Sequence, residues 1–481
     1  MLIARHRTAL TRTDVSRPLR IALGDGVLHV GRSLMDYGCG RGGDVARLRS
    51  AGLDCVGWDP VHAPDGERRP SAIVNLGYVV NVIEDLDERR TVVRNAWELA
   101  QSVLIVSARL VDERPTRLQP ALADGIVTRL GTFQKFFEQQ ELRAWLEQTL
   151  DRRVVAAAPG VFYVFRAEED RSEFLARRFR RPDRVPRLRI SDRLVAEHRD
   201  LLDELAAFLG ARGRLPEKGE LSSHERLVAA IGSVARAHRL LMLATDPADW
   251  EVVRQSRGED LLVYLALAKF DGRPALGDLP IDMQRDVKAF FGSYAKACAA
   301  ADGLLFALGG QERLDAAAAA SPVGKLLPTA LYVHVDAIAD LAAPLRLYEG
   351  CARAVLGEVD GATLVKFRRD EPKVSYLCYP SFERDAHPAL VESVSVHLQT
   401  FRIKTRRYED SANPPILHRK EAFVSADHPL RERFARLTKA EEKAGLYEET
   451  ARIGLRSGWQ EVLERAGVDI RGHKLVGRSR R

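Results

Sequence analysis

Apolar positions in the first third of the chain switch between two periods, and the switching predicts strands separated by helices. Short apolar runs recur as LMDY at 34–37, CVGW at 55–58, AIVNLG at 72–77 and VLIVSAR at 103–109. Runs of that length, bounded by glycine or charge, predict strands buried on both faces of a parallel sheet. Between the last two the spacing becomes helical, with Val92, Val93, Ala96, Leu99 and Ala100 on one stripe. QQELRAWLEQTL predicts another helix, and VVAAA and VFYVFR, joined at Pro159-Gly160, predict a hairpin that closes the sheet. Only the polar stretch VHAPDGERRPSA separates the second run from the third. It is too short for the helix and edge strand that a doubly wound sheet usually places there. The expected fold is α/β and Rossmann-like with a shortened edge, ending near residue 170.

Beyond 170 the pattern predicts three further segments. RSEFLARRFRRPDRVPRLR, at 171–189, holds eight arginines against two acids, and its prolines at 182 and 186 oppose a continuous helix. It reads as an arginine-rich linker over 171–190. Residues 191–320 read as a helical middle domain. Ser191 is placed to cap a helix with Leu194, Leu201, Leu202, Leu205 and Phe208 on its stripe and Gly210 at its end, and Ser222 with Glu225 suits a capping box. From 321 to 481, helical stretches precede the β-rich runs ATLVKFRR, KVSYLCYP and VSVHLQTFRIKTRRY, which predict a C-terminal α+β domain.

Composition narrows the function classes. A chain of 481 residues is long enough for about three domains with cores of their own. The five cysteines form no C-x-x-C pair and the twelve histidines show no ligand spacing, so neither a disulfide framework nor a metal site is expected. No apolar run is long enough to span a bilayer and MLIARHR lacks a signal-peptide core, so a soluble, cytoplasmic protein is expected, with no membrane partner. The net charge of +7 matters less than its clustering. Arg5, Arg7, Arg12, Arg17 and Arg20 crowd the start against the single acid Asp14, and Ala362 to Lys439 holds fifteen Lys or Arg against ten acids. In that second region Tyr376, Tyr379, Phe401 and Tyr408 interleave with Lys366, Arg368, Lys373, Arg402, Lys404 and Arg406. Cations mixed with aromatics suit a nucleic-acid groove, and an ordinary sheet with a wet basic face would read the same way.

The chemistry gathers between Leu34 and Pro60. Gly38, Gly40 and Gly42 form a turn that lets backbone approach a ligand closely, and the helix after it points unpaired amides at that ligand. Asp59 ends the second strand, where a carboxylate can accept ribose hydroxyls. The same letters satisfy a dinucleotide template through Gly38, Gly40 and Gly43, and the template D-x-G-x-G-x-G through Asp36 to Gly42. The latter resembles the first motif of class I S-adenosylmethionine-dependent methyltransferases, and the block NVIED at 81–85 resembles the loop with which many of them close over the cofactor. That resemblance implies S-adenosyl-L-methionine as cofactor, held by Asp36, Gly38, Gly40, Gly42 and Asp59. Asn75 to Tyr78, NLGY, stands where amino-methyltransferases carry N/D/S-P-P-Y/F. Both prolines are missing, yet Asn75 could orient the acceptor and Tyr78 stack on it, with Glu84 and Asp85 in the loop behind. Asn413-Pro414-Pro415-Ile416 looks like a second copy but follows a charged segment and lacks the aromatic.

Taken together, RHRTALTR, DYGCGRGGDV, VGWDPVH, NLGYVVNVIED, GTFQKFF, PGVFYVFR, KLLPTALYVHV, YEGCARAVLGEV, KVSYLCYPSF and NPPILHRKEAF resemble the bacterial DNA phosphorothioation-associated methyltransferases. The resemblance implies methyl transfer to nucleic acid, DNA above all, within a phosphorothioation modification and restriction system, with proteins of that system as partners. Two other classes stay open: a non-catalytic cofactor-sensing or DNA-binding accessory subunit, and a methyltransferase acting on protein or a small molecule.

Overall fold

The computed structural model describes residues 5–8, 14–114, 119–179, 198–450 and 452–477. The chain divides into two compact units, one comprising 1–167, 315–341 and 348–481, the other 168–314 and 342–347. The sequence of the helical unit thus interrupts that of the first. The N-terminal and C-terminal segments, read separately from their patterns, fall within one unit.

The N-terminal part opens with helix α1 (Arg17–Gly24) and strand β1 (Leu34–Tyr37), followed by α2 (Gly43–Ser50), β2 (Cys55–Trp58), β3 (Ser71–Gly77), α3 (Leu86–Leu99) and β4 (Ala100–Ser107). A small sheet of β5 (Ala121–Leu122), β6 (Gly125–Val127) and β7 (Phe133–Gln134) fills the loop after β4. Then come α4 (Gln139–Leu150), β8 (Val155–Ala158) and β9 (Val161–Phe165). The main sheet runs β2-β1-β3-β4-β9-β8. β1 is parallel to β2 and β3, β3 is parallel to β4, and only β9 runs against its neighbours. A reversed strand inserted between β4 and β8 is how the class I methyltransferase sheet ends, and this fold is of that class. The chain from Asp59 to Ser71 holds only turns and the Asp59↔Ala63 bridge, so the edge is shortened as its polar sequence predicts.

All four residues of β1 are buried, because helices cover both faces of a parallel sheet. Met35, Val74, Leu104 and Val106 pack with Phe137, Leu142 and Phe162 in one cluster. In the segment GTFQKFF, Phe133 and Phe136 are buried, and Lys135 is tied to Glu141 at 2.7 Å.

The helical unit contains α5 (Glu168–Phe179), α6 (Arg199–Arg212), α7 (His224–Ile231), α8 (Val234–Ala244), α9 (Pro247–Ala268), α10 (Ile281–Phe291), α11 (Tyr294–Ala307) and the start of α12 (Gln311–Ala319). The first half of the arginine-rich stretch is helical as α5, since its prolines come later; its remainder, with Ser191 and Leu194, lies outside the described residues. α6 runs through Gly210 and stops at Gly213, whose left-handed φ of 66° suits glycine. The capping box is absent: Ser222 donates to Glu204, while Ser223 stands at the N-cap without a side-chain bond.

In the C-terminal part, β10 (Lys325–Leu327), β11 (Ala330–His334), β12 (Leu364–Arg368), β13 (Lys373–Cys378), β14 (Glu392–His397) and β15 (Ile403–Arg407) form an antiparallel meander in sequence order. The helix α13 (Ala343–Leu356) precedes β12, and α14 (Arg431–Lys443), α15 (Arg456–Arg465) and a hairpin of β16 (Val468–Arg471) and β17 (Lys474–Gly477) follow β15. Tyr376 and Tyr379 are buried, so they are core and not stacking platforms; Tyr376 donates its hydroxyl proton to buried Glu349 at 2.8 Å. Asn413 is equally structural, its Oδ1 accepting from the Ser457 amide.

Candidate functional site

β1 delivers its chain end into the glycine turn. Gly38, Gly40 and Gly42 have φ of 86°, 53° and 71°, which side chains strongly disfavour. A Cβ on Gly38 would also stand 2.5 Å from Val79 Cγ2. The Gly38 and Cys39 amides donate to the Trp58 carbonyl, so β2 fixes the turn. Gly42 caps α2, which leaves that helix's first amides directed at the turn.

Asp59, at the end of β2, holds the same turn from outside. Its Oδ2 accepts from the Gly40 amide at 3.1 Å, and its Oδ1 accepts from Val61 and His62 at 3.0 and 2.8 Å. A carboxylate has about four lone-pair positions, so one on Oδ2 is left to face a ligand hydroxyl.

These groups border a cavity of about 810 Å³, within the range of small-molecule sites. Gly38, Gly40, Asp59 and Tyr78 line it; Asp36, Gly42 and Asn75 do not. The β1–β3 register places Asn75 opposite Asp36. Asn75, 2% exposed, donates from Nδ2 to Asp36 Oδ1 at 2.7 Å. Asp36 and Asn75 therefore form a buried brace beneath the turn. Tyr78 turns the chain at φ 61°, its amide donating to both the carbonyl and the hydroxyl of Ser107 at the end of β4. A non-glycine residue held there costs about 1–2 kcal/mol, and the two acceptors keep it. Glu84 pairs with Arg5 at 2.8 Å, and Asp85 caps α3 by accepting from Asp87 and Glu88.

Two lining residues, Ser16 and Arg109, carry no signal readable in sequence, and a third, Asn81, opens the NVIED block. Ser16 and Asn81 are buried, and their side-chain oxygens have no hydrogen-bond partner. Arg109, after β4, faces the cavity. A buried amide oxygen without a donor costs about 1–3 kcal/mol, and a bound molecule would relieve it. Cys39 also lines the cavity, but burial, then Asp36 and Asp59, push its thiol up to about 12, so it stays neutral and is a poor nucleophile. Arg5 is held to the cavity rim by Glu84 and by a bidentate contact with Glu88 at 2.6 and 2.8 Å.

The residues present fit S-adenosylmethionine: glycines where backbone must approach, an acid with one position left for a ribose hydroxyl, unpartnered polar atoms on the wall, and volume for an acceptor besides. Among the described residues no group of three or more His, Cys, Asp and Glu side chains could hold a metal ion, and no helix is long and apolar enough to cross a membrane.

No protein-family model matches the chain, and no curated protein matches it by sequence. Among solved structures, the Burkholderia thailandensis 1,6-didemethyltoxoflavin-N1-methyltransferase with bound 1,6-didemethyltoxoflavin and S-adenosylhomocysteine is 13% identical over 34% of this chain and 78% of its own, at a TM-score of 0.23. A SAM-dependent methyltransferase from Aquifex aeolicus is 14% identical over 34% of this chain and 95% of its own, at 0.24.

Proposed function

We propose that the protein is an S-adenosylmethionine-dependent methyltransferase whose acceptor lies in nucleic acid, DNA in a phosphorothioation modification and restriction system. The observation that carries methyl transfer is the cavity bounded by the glycine turn, Asp59 and the strained Tyr78. Bound S-adenosylmethionine supplies an electrophilic methyl group. The chain's own part is positioning and exclusion of water: the turn accepts the cofactor backbone-first, Asp59 offers its remaining lone pair, and the Tyr78 ring faces the acceptor. No thiolate takes part.

The nucleic-acid reading is supported by the edge of the C-terminal sheet. Lys404, Arg406 and Arg407 are exposed along β15, with Arg402 just before it; β15 packs against the 3-10 turn Val111–Glu113, and Glu113 lines the cavity. Clustered cations beside the opening suit a phosphate backbone, since neutralising phosphates releases counterions. A base in duplex DNA would have to be flipped out to enter. The accessory-subunit reading draws on one observation, that Asn75 braces Asp36 instead of facing the cavity.

Calorimetry against S-adenosylmethionine and NAD tests the cofactor, with binding expected for the former alone. Incubation with methyl-labelled cofactor and DNA with or without phosphorothioate, RNA and protein then tests the acceptor. Labelled DNA is the expected product; cofactor binding with nothing labelled would favour the accessory subunit, and labelled protein alone would sink the DNA assignment.

A further inference from the structure

Four arginines line the cavity, and two of them lack a counter-charge. Arg5 is paired with Glu84 and Glu88, and Arg20 with Asp14 and Asp360. Arg17 and Arg109 meet no carboxylate among the described residues.

The Pro159-Gly160 turn bonds to Arg17 and to the residue before Arg109. Arg17 Nη1 donates to the Pro159 carbonyl at 2.6 Å. The Ala108 amide, one residue before Arg109, donates to the Gly160 carbonyl at 3.0 Å. Gly160 itself is pinned: its amide donates to Gln139 Oε1 at 2.8 Å, its φ is 72°, and a Cβ there would meet the Ala108 carbonyl at 2.5 Å. The turn is thus a rigid seat for Arg17 and for the backbone that leads into Arg109, and both side chains line the same cavity. Arg17 spends one donor on Pro159 and keeps about four of its five N–H groups.

The Arg109 segment is also removed from the glycine turn, whereas Arg17 follows Ser16, whose amide donates to Asp44 of α2 at 3.0 Å. The glycine turn follows β1 and the Arg109 segment follows β4, with β3 between them. Two strand spacings amount to roughly 10 Å, with Tyr78 at the end of the strand between. Two half-buried cations that share a wall repel each other until an anion joins them, and guanidinium forks suit planar or tetrahedral oxyanions.

We infer that Arg17 and Arg109 form a clamp for an oxyanion carried by the methyl acceptor, a phosphate or phosphorothioate diester or else a carboxylate. The inference rests on the methyl-transfer reading and adds to it the charge class of the substrate. The clamp chooses the acceptor and fixes its distance from the cofactor.

The test uses the full chain loaded with S-adenosylhomocysteine and titrated with thymidine dinucleotides whose linkage is phosphate, phosphorothioate or uncharged methylphosphonate, and with benzoate as a carboxylate probe. Charged dinucleotides are expected to bind about tenfold or more tightly than the methylphosphonate, and Arg109→Ala and Arg17→Ala to abolish that difference, with Arg109→Lys restoring part of it. Arginine-dependent binding of benzoate without the dinucleotides would assign the carboxylate source. Equal binding of charged and uncharged linkages, or variants that bind like wild type, would overturn the clamp. So would variants that lose S-adenosylhomocysteine while keeping 5′-methylthioadenosine, because the arginines would then hold the cofactor's own carboxylate. If wild type binds no S-adenosylhomocysteine, the methyl-transfer reading falls, and the clamp is decided by the same charged-against-uncharged comparison on the cofactor-free protein.

Discussion

Asn81 separates a site residue from a core residue by the sign of its effect on stability. Its carboxamide oxygen is buried at 1% exposure without a donor, so replacing it by leucine removes an unsatisfied polar atom. Asn81→Leu is expected to leave stability unchanged or raise it by about 1–3 kcal/mol, while methyl transfer falls. Thermal unfolding with a turnover assay checks both; a loss of stability would place Asn81 in the scaffold alone. Gly38→Ala must force Val79 aside and hold an alanine at φ 86°, so cofactor binding is expected to fall. Val79→Ala in the same chain should recover part of it, because the clash is with a side chain. Asp59→Asn keeps an oxygen for the turn but loses the negative charge, and cofactor affinity should drop about tenfold to a hundredfold by calorimetry. The glycines and Asp59 were legible because their role lies in backbone conformation and chain position, which spacing encodes. Asn75 was not, because strand register, set by pairing with β1, decides that it meets Asp36.

Elements differed in legibility for physical reasons. β1 to β4 read clearly because a strand buried on both faces is apolar throughout. The C-terminal hairpin β16–β17 did not, since RGHK at its turn is polar and its strands alternate with charge; Gly472, at φ 57°, supplies the turn. That hairpin is fastened by an unusual contact. Lys420 Nζ donates to the Phe382 and Asp385 carbonyls and to His473 Nε2 at 3.0 Å, which obliges His473 to stay neutral. Burial, then Lys420, pushes His473 down to about 4, and burial, then His387, pushes His418 down to about 3. His418 donates from Nε2 to the Ile453 carbonyl, and its Nδ1 has no partner to receive a second proton. Both imidazoles bind protons in the unfolded chain below about pH 6.5 and resist them when folded. The contribution of these two imidazoles should therefore be full above pH 6.5 and decline as pH falls toward 4, below the range over which Lys420, pushed down to about 7 by burial, weakens the fold as pH falls. Denaturant titrations at pH 7 and pH 4.5 measure the decline, and His418→Gln is expected to shrink it; an unchanged slope would remove His418 from the account.

At the scale of the whole molecule, the sequence of the helical unit falls between two parts of the other unit, an arrangement that local patterns do not reveal. One of the ties between those two parts is a near-contact of backbones. Gly357, after α13, has φ 75°, a Cβ on it would lie 2.2 Å from the Ala158 amide nitrogen, and the next amide, of Glu358, donates to the Ala157 carbonyl at 2.7 Å. Gly357→Ala is expected to destabilise this unit by more than about 1 kcal/mol, read as a lower unfolding midpoint, and preserved stability would show that the backbones can part without cost.

β8 is the last strand of its sheet, and strands in that position recruit foreign strands unless something covers them. Here the cover comes from residues roughly two hundred positions downstream. A gene rearrangement that kept only the N-terminal third would thus yield a product inclined to pair with itself, however well that third packed inside. Selection would hold these two segments together as a single heritable part, and expression trials seeking a minimal fragment should retain both.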